Sequence, residues 1–292
     1  MFKKILIATD LSASSEAIIN CMADLRSLDV EEVILFYACG IRHITALAET
    51  IKQSVEPDLI RQQKVLESQG FKTILEIAPG TPSEELKRVC KEKEISLVII
   101  GSHGESMASH KLFRYGGVTS EILHSHECPL LLIRTRIIEE KGIKTIETTC
   151  QNLNERILFA TDFSDISVRA FLYVEQLVEA GCKKVTLIHV QDKVKLEKYL
   201  SDKLEEFNKI DSERLEMLKQ QLLRKGAEEV EVKISYGIPA QEILKESKNG
   251  YSLIVMGSQG RGFFNEVFIG SVSHNVSRHA DISTLLVPRK NR

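Results

Sequence analysis

The sequence predicts an α/β protein in two tandem domains, each a parallel sheet with helices on both faces. Three observations predict it. The first is an internal duplication within the 292 residues: Ile5-Leu6-Ile7-Ala8-Thr9-Asp10-Leu11-Ser12 recurs as Ile157-Leu158-Phe159-Ala160-Thr161-Asp162-Phe163-Ser164. The match runs on in order, 33–37 against 185–189, Gly80-Thr81-Pro82 against Gly237-Ile238-Pro239, Gly101-Ser102-His103-Gly104 against Gly257-Ser258-Gln259-Gly260, and 129–134 against 283–288. A repeat of about 140 residues is single-domain size and too long for a solenoid. The second is that short apolar runs alternate with stretches of helical spacing. The third is that Leu253-Ile254-Val255-Met256 opens directly into glycines, as a buried strand entering a loop does.

In the first copy the strand pattern covers 3–9, and Ser12 or Ser14 can cap a helix running to about Arg26. A strand follows at 32–38. Residues 43–69 carry helical spacing in Ile44, Leu47, Ile51, Val55, Leu59, Val65 and Leu66, with Pro57 expected to kink or split the helix. Strand 71–77, helix 82–93, strand 96–100, helix 116–125 and strand 129–134 complete the copy. Residues 135–155, rich in Ile, Glu, Lys and Thr without clear period, read as a linker that can add an edge strand. The second copy repeats the order at 156–161, 165–180, 183–190, 194–224, 228–234, 239–248, 251–256, 270–279 and 283–287. Its long helix sets Leu196, Leu200, Leu204, Phe207, Leu215, Leu218 and Leu222 near one stripe, which is expected to pack on its own sheet. The domains are thus drawn as 1–137 and 155–292, with 138–154 between them.

Gly257-Ser258-Gln259-Gly260, followed nine residues later by Gly270-Ser271-Val272-Ser273, falls where one strand ends and a helix begins. The first N–H groups of a helix have no intrahelical partner, and with the helix dipole they form an anion site whose natural occupant is a nucleotide phosphate. The glycines permit close approach, and Ser271 and Ser273 are expected to add hydroxyl donors. In an open parallel sheet the ligand crevice lies beyond the carboxyl ends of the strands where the winding reverses, between the loops after the first and fourth strands. Asp162 sits at the first of these. It can accept bonds from ribose or adenine, help hold a phosphate-bound cation, or serve as a turn or capping carboxylate. His189-Val190 ends the second strand, where backbone groups can meet an adenine edge and the histidine reads as a packed strand-end residue rather than a catalyst.

Composition narrows the class. Hydrophobic residues make up 43% and charged residues 27%, enough for two full cores under an ordinary polar surface. The formal net charge of −2 leaves no polybasic field in either copy, so nucleic acid is not an expected partner. No apolar run approaches membrane-spanning length and no secretory signal opens the chain, so the expected location is the cytoplasm, without a membrane partner. The six cysteines show no C-x-x-C pair or metal-like spacing and read as reduced thiols. His124-Ser125-His126 points its two rings in different directions on a helix, and no metal site is expected from protein ligands. No complete catalytic motif is present: no G-x-x-x-x-G-K-[ST], no G-x-S-x-G and no H-E-x-x-H, and no catalytic residue is assigned. His103 and His110 read as exposed loop residues. Asn275-Val276-Ser277 fits a glycosylation sequon that has no use in the cytoplasm.

Taken together, the Ala-Thr-Asp-x-Ser openings, the Gly-x-Pro turns and the spaced glycines resemble the universal stress protein family in its tandem two-domain form, across nearly the whole chain. The resemblance implies five parallel strands per domain in the order 3-2-1-4-5, and a site for ATP or another adenine nucleotide, commonly with a divalent cation such as Mg2+ or Mn2+ on the phosphates. It places Asp162 near the nucleoside, the Val190 backbone near adenine, Met256, Gly257 and Gly260 along ribose and phosphate, and Gly270, Ser271, Val272 and Ser273 around the phosphates. The matching residues of the first copy are Asp10, Ala38, Ile100, Gly101, Gly104, Gly116, Gly117, Val118 and Thr119. That copy departs from the pattern: eleven residues separate Gly104 from Gly116, and Gly117 stands where a serine hydroxyl should face phosphate. A hydrogen bond to a charged group is worth about 1.5–3 kcal/mol, so the second copy is expected to bind roughly tenfold to a hundredfold more tightly.

The leading expectation is a nucleotide-dependent sensor or regulator of the stress response, acting through an unidentified protein partner. The alternatives are a weak ATPase or phosphotransferase, and an interaction scaffold that binds no nucleotide. Single-domain relatives pair through the last strand, so 129–134 and 283–287 are expected to meet as an intramolecular pseudo-dimer, with further homodimerisation left open.

Overall fold

The structure is a computed structural model and describes residues 2–40, 45–102, 117–140, 143–150, 152–193, 204–260 and 269–289. The chain divides into two compact units, Met1–Gln151 and Asn152–Arg292.

The first unit contains β1 (Lys4–Ala8), α1 (Ala13–Asn20), β2 (Glu32–Ala38), α2 (Thr45–Ser68), β3 (Lys72–Ala78), α3 (Pro82–Glu92), β4 (Leu97–Gly101), α4 (Gly117–Ser125) and β5 (Leu130–Ile133). The five strands lie parallel in the order β3-β2-β1-β4-β5. Ile5, Leu6 and Ile7 on β1 and Val98 and Ile99 on β4 are fully buried, as the central strands of a sheet covered on both faces must be.

Three elements differ from their expected form. The helix after β1 stops at Asn20, and Met22–Leu28 continues as a 3-10 helix that ends at Asp29 in the left-handed region (φ 62°). Met22, Leu25 and Leu28 are all buried, and at three residues per turn this spacing of three lines them up along one edge of the coil. Helix α2 runs unbroken through Pro57, anchored by the fully buried Leu59 and Leu66. The stretch expected to be a linker forms an antiparallel hairpin, β6 (Thr135–Glu140) and β7 (Ile143–Thr148), in register from Thr135↔Thr148 to Glu140↔Ile143. The hairpin belongs to the first unit. There Cys150, just past β7, is disulfide-bonded to Cys21 at the end of α1, with 6.1 Å between the Cα atoms. The reading of all six cysteines as reduced is corrected accordingly: two remote positions meet because the hairpin returns along α1. Cys39, Cys90, Cys128 and Cys182 are free thiols.

The second unit contains β8 (Arg156–Thr161), α5 (Asp165–Glu179), β9 (Lys184–Asp192), α6 (Leu204–Lys225), β10 (Glu229–Gly237), α7 (Pro239–Glu246), β11 (Leu253–Gly257), α8 (Ser271–His279) and β12 (Ser283–Val287). Its strands are also all parallel, in the order β10-β9-β8-β11-β12. Leu215 and Leu222 bury the inner face of α6 completely, as Leu59 and Leu66 do for α2. Strand β9 runs two residues beyond its expected end, because β10 stays in register with it through Gly237↔Asp192. Among the described residues, no helix is long and apolar enough to cross a membrane.

Candidate nucleotide site

In the second unit the chain leaves β8 toward β9 on one side and returns through β11 on the other, so the winding reverses at β8. A gap opens there because β8 stops at Thr161, opposite His189, while β9 continues to Asp192. The backbone of 190–192 therefore projects past its β8 neighbour. A cavity of about 610 Å³ occupies this end of the sheet. Asp162, Val190, Met256, Gly257, Gly260, Gly270, Ser271, Val272 and Ser273 all line it.

The loop after β8 is shaped by its own side chains. Thr161 Oγ1 accepts from the Phe163 N–H (3.0 Å) and Asp162 Oδ1 from the Ser164 N–H (3.0 Å), holding Phe163 at φ 57°. Ser164 then caps α5 by accepting from the Ser167 N–H. The turn-carboxylate role of Asp162 is thus filled by Oδ1. Its Oδ2 is turned toward Gly260, where an added Cβ would lie only 2.8 Å away, so a side chain there would push the carboxylate aside.

Across the gap, Gly270 begins α8. Its N–H donates to Ser258 O (2.7 Å), and a Cβ there would press on Gln259 Cα at 3.3 Å. Unlike α1 and α5, α8 has no side-chain cap. Its leading amides are the unpaired donors of a helix start, and they line the cavity. The two serines differ. Ser271 is exposed, and no protein acceptor among the described residues takes its hydroxyl. Ser273 is 4% exposed and donates its hydroxyl to Gly257 O at 2.7 Å. The expectation that both hydroxyls are donors to phosphate is corrected for Ser273: the hydroxyl hydrogen ties α8 to the end of β11, and only its N–H remains for a ligand.

The far wall holds His189, read from the sequence as a strand-end residue, together with Gln191, Asp211 and Arg214, which sequence reasoning missed. His189 Nδ1 lies 2.8 Å from Thr161 O, and since a carbonyl only accepts, Nδ1 is the protonated nitrogen. Its ring packs against Phe163 with centroids 4.8 Å apart, and the Arg214 guanidinium lies over the Phe163 ring, 5.3 Å from its centroid. Asp211 on α6 accepts from Gln191 Nε2 (3.1 Å) and faces His189 Nε2 at 3.4 Å. A signal for Asp211 existed: it occupies the position of the apolar stripe between Phe207 and Leu215, where a carboxylate is out of place.

The first unit repeats the turn chemistry. Leu11 has φ 61°, its N–H donates to Thr9 Oγ1 (3.1 Å), and the Ser12 N–H donates to Asp10 Oδ1 (3.1 Å). Thr119 Oγ1 donates to Gly101 O (3.0 Å), the counterpart of the Ser273 tie. Ile100 is buried in β4, Ala38 ends β2, and Gly117 opens α4 ahead of the exposed Val118. The hydroxyl that follows the turn is used differently in the two copies. Ser15 donates to Asp10 Oδ1 at 2.5 Å, whereas its counterpart Ser167 bonds Thr161 Oγ1 at 2.6 Å. Gly104 and Gly116, with His103 and His110, lie outside the described residues.

Two copies of a doubly wound α/β unit, one with a glycine-lined crevice at its switch point, define a tandem protein of the doubly wound α/β class. A profile of the Universal stress protein family matches residues 1–134 and 154–288. The chain belongs to the universal stress protein family. It is 31% identical over 156 residues to Universal stress protein MJ0577 of Methanocaldococcus jannaschii, covering 47% of this chain and 96% of that one. The crystal structure of a universal stress protein from Archaeoglobus fulgidus shares the fold, with a TM-score of 0.75 at 23% identity over 99% of both chains. A universal stress protein solved in complex with cAMP aligns with 46% of this chain and 96% of its own at 23% identity, with a TM-score of 0.36.

Proposed function

We propose that the second unit binds an adenine nucleotide, ATP or a close relative, and that the protein works in the cytoplasm as a nucleotide-dependent regulator that relays occupancy to a protein partner. The observation that carries this reading is the uncapped start of α8. Its amides and the Ser271 hydroxyl open into a cavity large enough for a nucleotide, opposite the backbone overhang of β9. An anion supplies the acceptors that the helix lacks, and the Val190 backbone offers a peptide edge to a base.

Among the described residues, no group of three or more His, Cys, Asp or Glu is arranged to hold a metal ion. A Mg2+ or Mn2+ would therefore travel on the phosphates, with Asp162 supplying a carboxylate to the same cavity. The second unit is the stronger site in this proposal. Support comes from Gly117 in place of a serine and from Asp10, whose Oδ1 is already engaged by the Ser15 hydroxyl.

The test is mass spectrometry of small molecules released from natively purified protein, followed by thermal melting with added ATP. The proposal expects a co-purifying adenine nucleotide, or a concentration-dependent rise in melting temperature. No nucleotide and no shift at saturating ATP would leave the fold without this function.

A further inference from the structure

We infer that Asp211 is the residue by which the second unit reads the base of its nucleotide, selecting a purine that carries an exocyclic amino group over one that carries a carbonyl there. The inference rests on the nucleotide reading proposed above and adds the specificity of the same site. A carboxylate offers about four lone-pair positions. On Asp211, Oδ2 accepts from Gln191 Nε2 and faces His189, but Oδ1 accepts no hydrogen bond from the described residues. Arg214 Nη1 stands beyond hydrogen-bond reach of Oδ1, at 3.8 Å. Asp211 is 9% exposed and lines the cavity, so the access that remains to this acceptor is from the cavity side. A charged acceptor open to the cavity and free of hydrogen bonds from the described protein is a place where a ligand N–H can form a charge-assisted bond.

Position agrees with chemistry. The partners of Asp211 sit at the end of β9, and the proposed phosphate cradle follows β11, two strands away. Strands are spaced about 4.8 Å, so the two ends of the cavity are roughly 10 Å apart, in keeping with a nucleotide laid across the sheet end from phosphate to base. A 6-amino group donates to Oδ1. A 6-oxo group turns a second acceptor toward a carboxylate. The first unit lacks this device: aligned on the buried Leu59/Leu215 and Leu66/Leu222 pairs, Val55 and Asp58 stand where the second has Asp211 and Arg214.

The experiment is calorimetric titration of the full chain with ATP and with ITP, in which a carbonyl replaces the 6-amino group and N1 carries a hydrogen, for the native protein and for Asp211→Leu. Leucine continues the apolar stripe between Phe207 and Leu215, so α6 retains its packing, and an unchanged melting temperature verifies this. The native chain should prefer ATP roughly tenfold to a hundredfold, and Asp211→Leu should bind the two within about threefold of each other. Equal binding of ATP and ITP by the native chain overturns the inference while leaving the nucleotide reading intact. So does an Asp211→Leu variant that keeps the native ratio. If neither nucleotide binds the native chain, the nucleotide reading falls and takes this inference with it. Should the variant not fold, Asp211→Val, which installs the residue the first unit carries there, takes its place, and a native ATP-to-ITP ratio in that variant overturns the inference.

Discussion

Ser271 and Ser273 sit two residues apart in one motif, and the structure assigns them opposite consequences on replacement by alanine. Ser271 is exposed at the first position of α8 and makes no side-chain hydrogen bond within the described protein, so Ser271→Ala should change stability by less than about 0.5 kcal/mol. Its hydroxyl is available to a phosphate, and a hydrogen bond to a charged group is worth about 1.5–3 kcal/mol, so ATP affinity should fall roughly tenfold to a hundredfold. Adenosine, without phosphate, should bind as before. Ser273 is 4% exposed, and its hydroxyl is spent on Gly257 O at 2.7 Å. Alanine there removes a buried bond and leaves a backbone carbonyl unsatisfied, costing about 1–3 kcal/mol of stability. Titration calorimetry with ATP and adenosine, paired with denaturant unfolding of each variant, separates the two. Equal losses of ATP and adenosine in Ser271→Ala would refute a phosphate role for that hydroxyl. A Ser273→Ala variant as stable as the native chain would refute the tie between α8 and β11.

Gly260→Ala should weaken ATP binding with little change in stability, since the new methyl group displaces the Asp162 carboxylate at the cavity wall; calorimetry against the native chain checks this. Peptide mapping without reductant should recover a Cys21–Cys150 cross-linked peptide, with Cys39, Cys90, Cys128 and Cys182 alkylated as free thiols. Reduction should lower the stability of the first unit by up to about 5 kcal/mol, the chain-entropy limit for so long a loop. Glu246 gives a pH-dependent test. Burial pushes its carboxyl up, but hydrogen bonds from Lys233 and Tyr251 (2.6 Å each) outweigh it and hold the pKa below the usual 4.5. A depressed carboxyl pKa stabilises the fold above the unfolded value and loses that contribution as pH falls through the folded one. Glu246→Gln should therefore be less stable than the native chain at neutral pH, with the gap closing below pH 4.5; denaturant melts across that window measure it.

The fold was legible where burial writes itself into the chain. Leu253-Ile254-Val255-Met256 and Ile5-Leu6-Ile7 are unbroken apolar runs because both faces of their strands are covered, and the glycines behind them mark where the backbone must turn. The hairpin was not legible. Ile137, Ile138, Ile143 and Ile146 are scattered among charges, and a two-stranded ribbon does not impose the alternation of a half-buried sheet. The 3-10 segment was hidden because Met22, Leu25 and Leu28 suit a period of 3.0 and a period of 3.6 about equally over so short a span. In the site, the motif residues of the second copy were readable because the duplication displays their order twice. Asp211 was not, since its partners Gln191 and His189 are 20 and 22 residues away and meet it only once α6 packs beside β9. The Cys21–Cys150 pair, separated by 129 residues, carries no spacing signal at all.

The central claim is that the start of α8 in the second unit cradles the phosphates of an adenine nucleotide. A crystal structure of the full chain grown with ATP measures this directly. Phosphate oxygens are expected within hydrogen-bond distance of the Ser271 and Val272 N–H groups and the Ser271 hydroxyl, with the base toward Val190 and Asp211. An empty hollow at saturating ATP, or a nucleotide seated with its phosphates away from α8, would contradict it.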